Sequence, residues 1–216
     1  YKDFELIILN DGSPEPIKEI VSHYNDKRLR YYENKTNIGA EHVVCNWNKL
    51  LDLAKGDYLM CIGDDDKICP DCLETYDCLI SQYPSKDIYH CRTQIIDENS
   101  HSINIQEERP VEESMYSMIW NIMFKGRIQF IGDFLFKTEA LRKLGGFYDL
   151  PYAIPSDWIT TFFAAKTHGV ANTNSVLFQY RSTPFTITST TRGKCLWKST
   201  IKYKQCLLEL LKGCPE

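Results

Sequence analysis

Apolar residues in this chain gather in short runs separated by longer amphipathic stretches. Phe4-Glu5-Leu6-Ile7-Ile8-Leu9 reads as a buried strand, stopped by the turn residues Asn10-Asp11-Gly12-Ser13-Pro14. Ile17, Ile20, Val21 and Tyr24 share one face of a predicted helix. Leu29–Glu33 reads as a second short strand and Asn37-Ile38-Gly39 as a turn. Val43, Val44, Trp47, Leu50, Leu51 and Ala54 fall at helical spacing, so a helix is predicted from about Glu41 to Ala54, ended by Gly56. Tyr58–Ile62 is a third strand, followed by a helix from about Pro70 to Gln82, with Pro70 suited to its first turn.

The second half continues the alternation. Ile88–Cys91 is a strand, residues 93–109 a polar hairpin or loop, Glu112–Phe124 a helix and Phe134–Phe136 a short strand. Thr138 is placed to cap a helix Glu139–Leu144, closed by Gly145-Gly146. Ser156 is placed to cap a helix from Asp157 to about His168, stopped by Gly169. Val170–Tyr180 is a strand, 182–194 a Thr- and Ser-rich loop, and Lys198–Lys212 an amphipathic helix. Strands alternating with helices predict an α/β fold with a largely parallel sheet in one domain.

Composition narrows the function. The chain has 216 residues, 43% of them hydrophobic, enough for one sizeable core. A net charge of -4 gives no basic stripe, so nucleic acid is not an expected partner. No apolar run approaches the roughly 18 residues of a membrane span, and no secretory leader pattern is visible. Tyr1-Lys2-Asp3-Phe4 runs straight into a strand, which suggests a chain beginning inside a longer protein. Nine cysteines, an odd number in a long chain, suit reduced thiols in the cytoplasm. Cys69-Pro70-Asp71-Cys72 lacks the second paired element of a zinc site and reads as small buried side chains.

The chemistry concentrates in Ile62-Gly63-Asp64-Asp65-Asp66, three carboxylates at the end of a strand. Their repulsion is relieved by a divalent cation, which binds hard carboxylate oxygens and leaves positions open for phosphate. In open α/β sheets ligands bind beyond the carboxyl ends of the strands. An Asp-rich turn with a helix cap among its members is the alternative. Asp157, in a helix first turn beside Trp158, is expected to be ionised and able to accept a proton, because a helix N-terminus lowers proton affinity. It could equally serve only the helix dipole.

The order of these pieces resembles the family 2 glycosyltransferases, which have the GT-A fold, a mixed, mostly parallel sheet flanked by helices. The matching residues are Phe4–Leu9 with Asn10-Asp11-Gly12-Ser13, Asn37-Ile38-Gly39, Asn46-Trp47-Asn48, Leu53-Ala54-Lys55-Gly56-Asp57-Tyr58, Gly63-Asp64-Asp65-Asp66 with Pro70-Asp71, Gly145-Gly146-Phe147 and Ser156-Asp157-Trp158. They cover about Phe4 to Arg181. Two departures stand out. The family's opening strand, part of its nucleotide pocket, has no counterpart here, and Gly63 stands where the family's Asp-x-Asp-Asp loop has its first Asp.

The resemblance implies a transferase that moves a sugar from a nucleotide-diphosphate donor, UDP-linked by preference, to a hydroxyl of a glycan or lipid-linked acceptor. It implies inversion, a Mn²⁺ or Mg²⁺ ion bridging the diphosphate, and a place in cell-surface polysaccharide synthesis. Asp65 and Asp66 would hold the metal, and Asp64 would contact the nucleotide sugar. Asp11 would bond the base, with Gly12 giving the backbone room. Asn37, Gly39, Asn46 and Asn48 would line the nucleotide pocket, while Trp47 is expected in the core. Arg181, Arg192 and Lys194 would stand near the diphosphate or remain solvated. Asp157 would be the general base, with Asp149 a weaker rival. Residues 1–92 would form the nucleotide half, 93–181 the acceptor half and 182–216 a closing loop and helix. A cytoplasmic location follows, with peripheral association at the inner face of the membrane left open. The alternatives are a metal-dependent phosphohydrolase and a non-catalytic nucleotide-sugar-binding remnant.

Overall fold

The sheet is built in two pieces in the computed structural model, which describes residues 1–184 and 194–212, apart from the side chains of 194–196. In the smaller piece β1 (Leu6–Asn10) pairs in parallel with β2 (Leu29–Glu33). The short helix α1 (Ile17–Ser22) joins them and buries none of its residues. A 3-10 turn, Ala40–His42, then leads into α2 (Val43–Leu53), whose Val44 and Leu51 enter the core.

The larger piece begins with β3 (Tyr58–Met60) and β4 (Lys67–Ile68), the latter a strand that the sequence pattern did not suggest. The helix α3 (Cys72–Gln82) follows, then β5 (Ile88–Ile96), β6 (Ser102–Ile105) and β7 (Glu112–Glu113). Ser114 caps α4 (Met115–Lys125), accepting from the Ser117 N–H at 3.2 Å. After α4 come β8 (Phe134–Lys137), α5 (Thr138–Lys143), α6 (Ser156–Ala165), β9 (Val170–Arg181) and α7 (Lys194–Leu211).

The order of the larger piece is β3-β8-β5-β9-β4, with β6 beside β5 and β7 beside β9. β8 is antiparallel to both β3 and β5, and β5 is parallel to β9. So β3, β5 and β9 run the same way and end on the same side. Alternation sorts the two faces. Phe134 and Phe136 join a core with Ile88, Met118, Ile159 and Phe162, while Leu135 faces Tyr76, Tyr89 and Phe178. Helices α4, α6 and α7 cover the first face and α3 covers the second.

Two expected caps are placed otherwise. Thr138 is the first residue of its helix, and its hydroxyl donates to the Gly56 carbonyl at 2.7 Å. Ser156 also lies inside its helix, fully buried, where its hydroxyl accepts from the Leu150 N–H at 3.0 Å. Both hydroxyls tie a helix start to a neighbouring segment instead of to their own first turn.

Candidate active site

Residues after β1 form one polar cluster. Asn10 holds the turn, accepting from the Ser13 N–H at 2.8 Å. The Asp11 carboxylate accepts from Asn34 Nδ2 at 2.7 Å and from the Ile38 N–H at 3.1 Å. Asn34 also donates to Asn46 Oδ1 at 2.9 Å, which ties α2 to the same point. Asn37 closes its own turn by accepting from the Gly39 N–H at 2.7 Å. Gly12 has φ of +72°, and a Cβ there would stand 3.1 Å from the Asn37 nitrogen. Only glycine suits that position easily. Asp11, Gly12, Asn37, Gly39 and Asn46 are thus brought together.

Asn48 stands apart from that group. Its side chain pairs with the Phe147 backbone, Oδ1 accepting from N–H at 2.7 Å and Nδ2 donating to the carbonyl at 3.1 Å. A Cβ on Gly146 would fall 2.3 Å from Asn48 Oδ1, so Gly146 lets the two segments close. Asn48 is therefore a clip between α2 and the Gly145-Gly146-Phe147 turn. Trp47 packs edge-on against Phe147 with ring centroids 5.6 Å apart, at the border of the core as expected.

The acidic loop leaves the end of β3. Asp66 Oδ1 accepts from the Arg181 N–H at 2.9 Å, at the end of β9. The Arg181 guanidinium donates to the carbonyls of Asp65 at 2.9 Å, Asp97 at 2.8 Å and Glu98 at 3.0 Å. Arg181 thus fastens the acidic loop to the β5–β6 turn, and its donors are largely committed to backbone. Arg192 lies outside the described residues, as does the Lys194 side chain.

Asp65 Oδ1 and Asp66 Oδ2 lie 2.9 Å and 3.1 Å from the point where a Gly63 Cβ would stand. A first Asp at position 63 would crowd both carboxylates. Burial and then the neighbouring Asp65 and Asp64 charges push the Asp66 carboxyl up to about 6, against the Arg181 N–H that favours its charged form. Asp65 is also raised, by burial first and then by Asp64. Among the described residues no three His, Cys, Asp or Glu side chains converge as a complete metal cage. Mg²⁺ does not need one, since it is usually held by one or two carboxylates plus phosphate oxygens and water. Two neighbouring carboxylates that burial leaves reluctant to carry charge fit such an ion. The described cysteines are free thiols; Cys72 is buried and Cys69 leans on the Val176 carbonyl at 3.4 Å.

Asp157 lies in the first turn of α6, which runs back along the sheet to feed β9. That direction sets its N-terminus at the end where β3, β5 and β9 finish. The residues before it are bent: Tyr152 and Ala153 have φ of +61° and +56°, which non-glycine residues rarely adopt. This turn packs against 40–42 and α2, beside the Asp11 cluster. Part of Asp157 reaches solvent, and protein walls the rest. Burial raises its carboxyl to about 7, opposed by the Trp158 N–H and reinforced by the Asp133 charge. The expected lowering by the helix N-terminus is thus overturned, because loss of hydration outweighs it. Asp149 is exposed.

A buried polar network behind the site escaped the sequence reading. Asp133 Oδ2 accepts from Gln106 Nε2 at 2.6 Å, Thr93 Oγ1 at 3.1 Å and the Phe130 N–H at 3.2 Å. His90 Nε2 lies 3.8 Å away. The only signal was a carboxylate, Asp133, directly before the apolar strand Phe134–Phe136. Burial, and then the Arg109 charge, hold His90 down at about 4, against the pull of Asp133. The unfolded chain therefore takes up a proton near pH 6.5 that the folded protein refuses until about 4. His90 should contribute stability above pH 6.5 that is lost progressively as pH falls toward 4, about 2–3 kcal/mol in all. Denaturant melts of the wild type and His90→Gln at pH 7 and pH 4 check this. Equal losses in the two proteins would count against it.

A cleft of about 340 Å³ lined by Lys86, Glu112 and His168 lies at the opposite end of the sheet, around Gly169. Lys86 pairs there with Glu112 at 2.6 Å and His168 with Asp87 at 3.1 Å, while Lys166 stands exposed at the cleft.

The model of the family described as Glycosyl transferase family 2 matches residues 1–145. The chain belongs to that family. An uncharacterized glycosyltransferase of Rickettsia typhi is 30% identical over 104 residues, covering 48% of this chain and 31% of that protein. The Escherichia coli protein WcaA, named for colanic acid biosynthesis, is 36% identical over 78 residues, covering 35% of this chain and 27% of that protein. The matched stretch is thus about a third of the length of these relatives. Among solved structures, residues 1–349 of Staphylococcus aureus TarS in complex with UDP-GlcNAc superpose with a TM-score of 0.75 at 16% identity, covering 99% of this chain and 59% of that one. At that identity the likeness speaks for the GT-A fold. No described helix of the chain is long and apolar enough to cross a membrane. The family match ends before Asp157.

Proposed function

We propose that the chain transfers a sugar from a UDP-sugar to a hydroxyl of a glycan or lipid-linked acceptor, with inversion, in the making of a surface polysaccharide. The observation that carries this reading is positional. The Asp11 cluster, the acidic loop and the first turn of α6 all gather at the end where β3, β5 and β9 finish. A nucleotide laid across this end meets Asp11 with its base side and the acidic loop with its diphosphate. Asp65 and Asp66 would hold a Mn²⁺ or Mg²⁺ ion, which neutralises charge as the nucleotide departs. Asp157, with a proton affinity near neutrality, takes the proton of the acceptor hydroxyl. Arg181 positions the acidic loop by its backbone contacts. The UDP-GlcNAc and UDP complexes of TarS favour a UDP-linked donor, and the name of WcaA favours a polysaccharide product.

Calorimetric titration of UDP tests the nucleotide half. Binding should require Mn²⁺ or Mg²⁺, and Asp65→Ala should weaken the metal-dependent part by tenfold or more, about 1.4 kcal/mol. Unchanged affinity in that variant would remove Asp65 from the site. Release of inorganic phosphate without any acceptor would instead favour a phosphohydrolase.

A further inference from the structure

Helix α7 has two apolar faces, and only one is used. Ser199, Tyr203, Leu207 and Leu210 are buried against the core. On the opposite side Trp197, Ile201 and Leu208 repeat at helical spacing and stand 73%, 54% and 65% exposed. The neighbouring helix α4 adds Trp120, Met123 and Phe124, each at least half exposed, with the Trp120 and Phe124 rings 4.3 Å apart. The Tyr203 hydroxyl meets Met123 Sδ at 3.3 Å, so the two exposed sets lie on touching helices. Single exposed apolar residues are ordinary, but a group of this size with two tryptophans marks an interaction surface.

Charge decides what covers it. The whole chain carries -4, yet α7 holds four lysines and one acid, Glu209, which Lys212 already pairs. On a helix advancing about 100° per residue, Lys198 and Lys202 flank the apolar stripe on one side and Lys204 on the other. Among the described residues no carboxylate pairs with these three lysines. A stripe of Trp, Ile and Leu bordered by unpaired lysines matches a helix lying in a bilayer interface. Glu209 shares the Lys198–Lys202 border, where Lys212 takes up its charge.

We infer that the outward face of α4 and α7 docks the domain flat on an anionic lipid surface, with Trp197 and Phe124 entering the interface and Lys198, Lys202 and Lys204 meeting lipid phosphates. The surface lies beside the proposed base: Trp158 packs edge-on against Tyr203, ring centroids 6.1 Å apart. Docking goes beyond the transfer reaction and is measured without it.

Co-sedimentation with vesicles tests it. The chain should bind phosphatidylcholine vesicles containing about 30 mol% phosphatidylglycerol at least tenfold better than phosphatidylcholine alone, with a blue shift of tryptophan emission. Salt near 1 M, where the screening length is about 3 Å, should weaken that preference. Trp197→Ser with Phe124→Ser should lower binding tenfold or more, and Lys198→Gln with Lys202→Gln should erase the anionic preference. All four positions are exposed, and an unchanged melting transition establishes that the variants fold. Equal binding to both vesicle types, or no binding by the folded chain, would overturn the inference. So would self-association in light scattering that these variants abolish while vesicles are ignored, which would make the face a protein interface.

Discussion

Asp157→Asn should cut sugar transfer by about a hundredfold or more while leaving UDP-sugar binding intact. Asparagine keeps the size of the side chain and can still accept from the Trp158 N–H, but it cannot take the acceptor's proton. In the wild type the carboxylate form should be half populated near pH 7, so kcat/KM should rise through that pH and then level. The variant should lose this limb. Stability should move the other way. The Asp157 carboxyl is raised from an ordinary 3.8 to about 7, so the folded protein carries a reluctant charge above pH 7 that the unfolded chain carries freely. Wild-type stability from this group is therefore lost as pH rises from about 4 to 7. Asp157→Asn should be more stable than wild type by about 2–4 kcal/mol at pH 8, and the advantage should vanish near pH 4. Full transfer activity in this variant would move the base to another residue. An inactive variant with no stability gain would mean that Asp157 is not held in a poorly hydrated place.

Arg127→Ala should be the most damaging single change to the fold. Arg127 Nη1 donates to both oxygens of Glu113, at 2.7 and 2.8 Å, and its Nε donates to Glu107 at 2.6 Å. The Glu113 side chain is fully buried. Removing the guanidinium strands a carboxylate away from water, at a cost of about 3–5 kcal/mol. In a chain of this length that corresponds to a drop in melting temperature on the order of 10 °C. Adding Glu113→Gln to Arg127→Ala should recover much of the loss, because the buried charge goes with its partner. Thermal melts of the single and double variants separate this account from simple loss of packing, which the second substitution could not repair.

The sequence exposed some of this plainly and hid the rest for physical reasons. Asp11, Asn37 and Gly39 were readable because turn residues after apolar runs have few places to go. Most of the strand and helix succession was readable from periodicity, but β4 and β7 were missed because two residues carry no period, and Glu112-Glu113 had been read as the start of α4. The partners that Asn48 and Arg181 take were hidden for a common reason. A polar side chain near a site has backbone carbonyls and amides to choose from, and those partners lie 99 and 116 positions away. Asp133 with Gln106 and Thr93 was invisible, since its partners come from separate strands and turns. The proton affinity of Asp157 failed on sign. A helix N-terminus can be read from sequence, whereas the protein that excludes water from the carboxyl comes from elsewhere in the chain.

The division of the sheet sets how evenly the molecule is held together. Of β1, only Asn10 is buried, and α1 contributes nothing to the core. The β1–β2 unit is fastened chiefly through α2 and through Glu5, which pairs with Arg30 and accepts from the Lys55 N–H at 2.6 Å. Such a unit opens at a fraction of the free energy needed to unfold the whole. Asp11 belongs to this loosely held unit, and Asp65 belongs to the firmly held one. A ligand that grips both must first fix their relative position, so some of its intrinsic affinity is spent on ordering. The same ligand would then act as a strap, and the weakest part of the fold would gain the most from being occupied.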